Sequence, residues 1–103
     1  MKICTFHTTD RGDDLEMVPS VILDHGDTVD ELIPEISDSI AMEIVTANEE
    51  GNEIQFVDNH GNPIDKSVFG VVNAINEGTR CIVVKKSMPD GRTYENVYTI
   101  HSI

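Results

Sequence analysis

The segment Gly26-Asp27-Thr28-Val29-Asp30-Glu31-Leu32-Ile33-Pro34-Glu35-Ile36 constrains the fold more than any other part of the chain. Thr28, followed three residues later by Glu31, has the spacing of a capping box. In that motif the Thr28 hydroxyl accepts from the Glu31 backbone N–H, and the Glu31 carboxylate reaches back to the Thr28 N–H. Val29, Leu32, Ile33 and Ile36 fall at i, i+3, i+4 and i+7, which puts them on one helical face. Asp27, Asp30 and Glu31 gather at the helix end whose dipole favours negative charge. A helix with a single apolar stripe must bury it against a partner surface, and strand-like segments on both sides can supply one. The expectation is an α+β domain with a sheet packed on this helix.

The flanking segments fill in that plan. Lys2–Thr8 reads as a first strand and Thr9–Asp14 as a polar turn containing a glycine. Leu15–Leu23 reads as the returning strand, with Pro19 placing it at an edge or a bulge because proline cannot donate to a ladder. Pro34 falls beyond the first turn counted from Thr28, where it would remove a hydrogen bond to Asp30. Either the helix kinks there, or a short helix ends and a second begins with Pro34 in its first turn. Ile36, Ile40, Ile44 and Ala47 extend the stripe, so helix continues to about Asn48, with a strand over Ile40–Thr46 as the alternative. Glu53–Asp58 alternates like a strand, Asn59–Pro63 is a turn, and Ile64 begins a short return. Val68–Ile75 suits a short helix or a turn. Arg80–Lys85 is the most strand-like run, and Met88-Pro89-Asp90-Gly91 turns it into a last strand over Tyr94–Ile100.

This order of elements resembles the ubiquitin-like, or β-grasp, family. Gly26–Leu32 is similar to that family's helix-opening segment. Ile54-Gln55-Phe56-Val57 before Asn59–Ile64 resembles its third strand and tight turn. Ile75–Ile82 resembles its turn into the last strand. The resemblance covers about Met1–Lys85 within a single domain of residues 1–103, leaving 86–103 as an added C-terminal hairpin. It implies a mixed sheet packed on one main helix, with the first strand and Arg80–Lys85 as parallel neighbours and Cys4 near Cys81. The family's conjugated members end in Gly-Gly, whereas this chain ends Ile100-His101-Ser102-Ile103, which argues against a conjugated modifier.

The net charge of −12 is unevenly spread, since no Lys or Arg occurs between Arg11 and Lys66. Such a surface repels nucleic acid and anionic membranes and suits a basic protein partner, or simply keeps the chain soluble. No apolar run approaches the ~20 residues that cross a bilayer, and Met1–Phe6 lacks a signal-peptide core, so a cytoplasmic location is expected. Cys4 and Cys81 have no metal-site spacing and read as small buried apolar residues, not a disulfide. His7, His25, His60 and His101 lack helical ligand spacing and would form a metal site only if the fold gathered them. No phosphate loop, nucleophile elbow or EF-hand spacing is present, so no catalytic, cofactor or metal residue is assigned. The expectation is a non-catalytic, acidic protein-interaction module or accessory subunit. The alternative is an acidic inhibitor of the kind phages and mobile elements encode, mimicking nucleic acid before a basic protein. Candidate partner-binding residues are Asp27, Asp30, Glu31, Glu35, Asp38, Tyr94 and Tyr98.

Overall fold

A computed structural model describes residues 4–12 and 21–102. The element order is β1 (Cys4–Gly12), β2 (Val21–Gly26), a 3-10 turn (Val29–Leu32), α1 (Ile33–Glu50), β3 (Glu53–Asp58), β4 (Pro63–Ile64), α2 (Val68–Asn76), β5 (Cys81–Ser87) and β6 (Thr93–Ser102). The strands form one sheet in the order β2-β1-β6-β5-β3-β4, and every adjacent pair is antiparallel. The fold class is α+β, a six-stranded antiparallel sheet with two helices.

The helical region resolves the choice left by Pro34. The 3-10 turn closes at Leu32, and α1 begins at Ile33 with Pro34 in its first turn, where its missing N–H has no bond to lose. The helix then runs through Ile40–Thr46 to Glu50, and Gly51 ends it at a φ of 72°, a left-handed conformation that glycine adopts without strain. The capping box forms differently from its sequence pattern. Thr28 makes no side-chain cap, and the Glu31 carboxylate instead accepts from the Asp27 N–H at 2.8 Å. Starting in 3-10 rather than α geometry moves the free N–H by one residue. The cap with a side-chain bond belongs to α2, where the Ser67 hydroxyl accepts from Gly70 N–H at 2.9 Å.

Three strand expectations change. First, β1 continues through Thr9–Gly12, because β6 offers it a partner along its whole length, from Cys4↔Ser102 to Gly12↔Tyr94. Second, the return strand runs past Leu23 to Gly26 as β2, at the edge of the sheet; the expected residues Leu15–Ser20, Pro19 among them, fall outside the described residues. Third, the sheet is not mixed, and β1 and β5 are not neighbours. The Met88–Arg92 turn, closed by Met88 N–H to Arg92 O at 2.9 Å, folds β6 back beside β5. The other side of β5 is already taken by β3. The strand expected as an addition therefore occupies the middle of the sheet. Cys4 and Cys81 consequently pair with different residues of β6, Ser102 and Thr99. Those residues are three apart, so the two cysteines lie on opposite faces, and neither is in a disulfide.

Both helices pack on one face. Its core joins Leu32, Ile36, Ile40, Val71 and Ile75 to Cys4, Phe6, Phe56, Ile82, Val84, Tyr98 and Ile100. Phe6 and Tyr98 stack with ring centroids 5.6 Å apart. Gly70 allows α2 its close seat, since a Cβ there would meet Asp65 O at 2.5 Å. The opposite face carries no described helix.

Candidate functional site

The exposed side of α1 is where the expected acidic residues and an unexpected apolar pair meet. Buried Ile36, Ile40, Glu43 and Ala47 define the core stripe. Asp38, Met42, Val45 and Glu49 repeat the same spacing two residues later, about 200° around the helix. They therefore point directly away from the core. Met42 is 63% exposed and Val45 49% exposed, with Asp38 and Glu49 exposed on either side of them and half-buried Glu35 one turn before. Asp27, Asp30 and Glu31, all exposed, lead into this stripe through the 3-10 turn.

The two candidate tyrosines lie elsewhere, on the helix-side face of β6. Tyr98 is 7% exposed and sits in the core, whereas Tyr94 is half-buried. Between them and α1 lies a polar cluster built around Glu43. Lys86 Nζ stands 3.0 Å from Glu43 Oε2 and donates to Oε1 at 3.3 Å, while Asn96 Nδ2 donates to Oε1 at 3.1 Å. Oε2 and Asn96 Oδ1 are buried acceptors without an aligned donor, so charge more than hydrogen bonding holds Lys86 in place. The ammonium also lies 5.3 Å from the centre of the Tyr94 ring. Burial, then the Asp10 carboxylate, pushes the Tyr94 hydroxyl up to about 12. Burial, then Glu43, pushes Tyr98 up as well. Both phenols stay protonated at neutral pH. Glu43 is thus the acid of α1 that is paired internally, whereas Asp38 and Glu49 on the exposed side face solvent.

A second feature is an open cleft of about 540 Å³ at one end of the sheet, lined by Asp58, His60, Glu77, Arg80, Cys81 and His101 among others. Much of its polar lining already shapes turns. Asp58 accepts from the His60 and Asn62 N–H groups, and these bonds hold its carboxyl below the usual range despite some desolvation. The Arg80 guanidinium donates to Ile75 O and Thr79 O, each at 2.9 Å. Among the described residues, no three His, Cys, Asp or Glu side chains gather so as to hold a metal ion. None of the helices is long and apolar enough to cross a membrane, again among those residues.

The sequence identified the acids of this surface but not Met42 or Val45. The signal for them was present: both fall off the Ile36–Ile40–Ala47 stripe on a helical wheel. Comparison with protein-family models, curated proteins and solved structures finds no match.

Proposed function

We propose that this chain is a non-catalytic interaction module that docks a basic protein surface through the exposed side of α1. Met42 and Val45 form the apolar centre, and Asp27, Asp30, Glu31, Glu35 and Asp38 form the acidic approach. The observation that carries this reading is the pair of exposed apolar side chains on the stripe opposite the core, flanked by acids in a helix that contains no Lys or Arg. An apolar centre with a charged surround is the usual anatomy of a specific interface. The acids would accelerate encounter with a cationic partner.

A ubiquitin-like ancestry fits the same chain. With β6 set aside, β1 and β5 run in one direction, because each is antiparallel to β6. They would then be parallel neighbours, flanked by β2 on one side and β3–β4 on the other, which is the arrangement the resemblance calls for. In this reading the C-terminal hairpin has inserted a strand between them.

The rival reading, a nucleic-acid mimic, would use the same acids without the apolar pair. Its support is the cation-free span Gly12–Asp65. Partner capture should be compared for wild type, Asp30→Asn/Glu35→Gln/Asp38→Asn and Met42→Ser/Val45→Ser, at low salt and at about 0.5 M, where screening shortens charge effects to a few Å. A partner retained at high salt by wild type, and lost in the Met42/Val45 variant, supports docking through α1. A partner released by salt and indifferent to Met42 and Val45 supports mimicry. Capture that neither variant changes overturns both.

A further inference from the structure

The sheet face opposite the two helices gathers two histidines that are far apart in sequence. His7 on β1 lies opposite Thr99 on β6, and His101 on β6 lies opposite Thr5 on β1. The four residues form a rectangle with imidazoles at diagonal corners. The ring centroids are 4.7 Å apart and the planes are inclined at 82°. Each ring is oriented by the threonine of its own strand: Thr5 Oγ1 is 2.7 Å from His7 Nε2, and Thr99 Oγ1 is 3.2 Å from His101 Nε2. Around them on this face stand His25, opposite Thr5, and Ile22, opposite His7, with Cys81 opposite Thr99. No Lys, Arg, Asp or Glu occupies any of these positions.

The spacing is that of an edge-on ring pair, and it is also one that a shared ion can hold. With metal–nitrogen bonds of about 2.0–2.1 Å, two imidazoles at adjacent positions on one tetrahedral or square ion have centroids about 4.5–5.2 Å apart. The observed separation falls inside that window. Metal-ligating histidines usually have their other ring nitrogen held by a hydrogen-bond partner, and the two threonine hydroxyls supply such partners. The negative charge of the whole chain favours cations nearby.

We infer that His7 and His101 form a two-histidine site for a borderline divalent transition-metal ion, with water completing the coordination. Imidazole ligands suit Zn²⁺, Ni²⁺ and Cu²⁺, with Cu²⁺ bound most tightly. Because the site lies on the sheet face, it is independent of docking through α1.

The test is titration of the full chain with Zn²⁺ at pH 7.5, followed by calorimetry and by NMR of the histidine ring resonances. The expected result is one saturable site with a Kd below about 1 mM, with the His7 and His101 resonances shifting together. His7→Gln and His101→Gln should each weaken binding by at least the about 10–100-fold that loss of a supporting partner costs at metal sites. His60→Gln, in the turn across the cleft that His101 also lines, should leave it unchanged. Circular dichroism establishes that each variant is folded, and His101 is exposed enough for its replacement to be tolerated. Absence of saturable binding, or binding that survives both substitutions, or binding lost only with His60, overturns the site.

Discussion

The two faces of the sheet obey different rules although they alternate along the same strands. On the helix side, Phe6, Phe56, Ile82, Val84, Tyr98 and Ile100 share one core with α1 and α2. On the other side, Val57 and Val97 are also buried, at 3% and 6% exposure, but they stand outside that core. They form a row with half-buried Val83, between Val57↔Val83 and Val83↔Val97. Beside this row the face turns polar, with Thr5, His7, Thr99 and His101. Packing demands set the first face, where each side chain is fixed by neighbours from several elements. The second is set by cross-strand pairs, so it is free to carry polar and titratable groups. On the other side of the row the face carries the cross-strand pair Lys85↔Glu95, while a run of acids without Lys or Arg lies elsewhere, on the 3-10 turn and α1.

The largest expected effect tests that contrast directly. Phe6→Ala removes a stacked ring from the shared core and should lower stability by about 3–5 kcal/mol, measured by urea unfolding. Val97→Ala, on the face opposite the helices, should lower it by about 1–2 kcal/mol. Equal losses would mean that both faces are packed to the same standard, and the comparison would fail.

A middle-sized effect concerns the charged pair on the helix side. Glu43→Ala leaves Lys86 facing the core edge without its counter-charge. The expected loss is about 2–3 kcal/mol, less than for a wholly buried pair because the Lys86 side chain keeps 13% exposure. Replacing both residues by leucine should restore most of that loss, since an apolar pair needs no desolvation. If the double variant is as unstable as the single one, the pair contributes more than the neutralisation of two charges.

The smallest effect belongs to the face opposite the helices. The folded pKa of His7 lies below its ordinary value of 6.5, through burial and then through His101. The folded state therefore binds this proton less readily than the unfolded chain. Stability from the neutral ring is fully present above pH 6.5 and declines as pH falls through 6.5 to the folded pKa, then levels. His7→Gln should flatten that part of the stability profile, measured by denaturant titration between pH 5 and 8, without altering the plateau at higher pH by much. A profile unchanged by the substitution would show that the rings are not coupled to folding.

Much of this protein could be read from residue pattern. The apolar stripe behind Thr28, the turn at Asn59–Pro63, the hairpin at Met88–Gly91 and the strand runs at Glu53–Asp58 and Arg80–Lys85 all depend on contacts within a few residues, and they form where the pattern puts them. At Pro34 the pattern left two arrangements open, a kink or a restart, because the ring forbids only one local arrangement, and the structure decided for the restart at Ile33. The sequence also contained the acidic approach to α1, since the absence of Lys and Arg over that span needs no structure to be seen. The Thr28 cap went otherwise for a local reason that the pattern does not encode: whether the first turn is 3-10 or α decides which N–H is left for Glu31. The pairing of β6 was beyond pattern altogether. A tight turn fixes that β6 lies beside β5, but only the occupation of the other side of β5 by β3 forces it between β5 and β1. That one tertiary decision made the sheet antiparallel throughout, put Cys4 and Cys81 on opposite faces, and brought His7 against His101 across 94 residues of chain. Local chemistry wrote the elements of this protein, and competition for sheet edges assigned their neighbours.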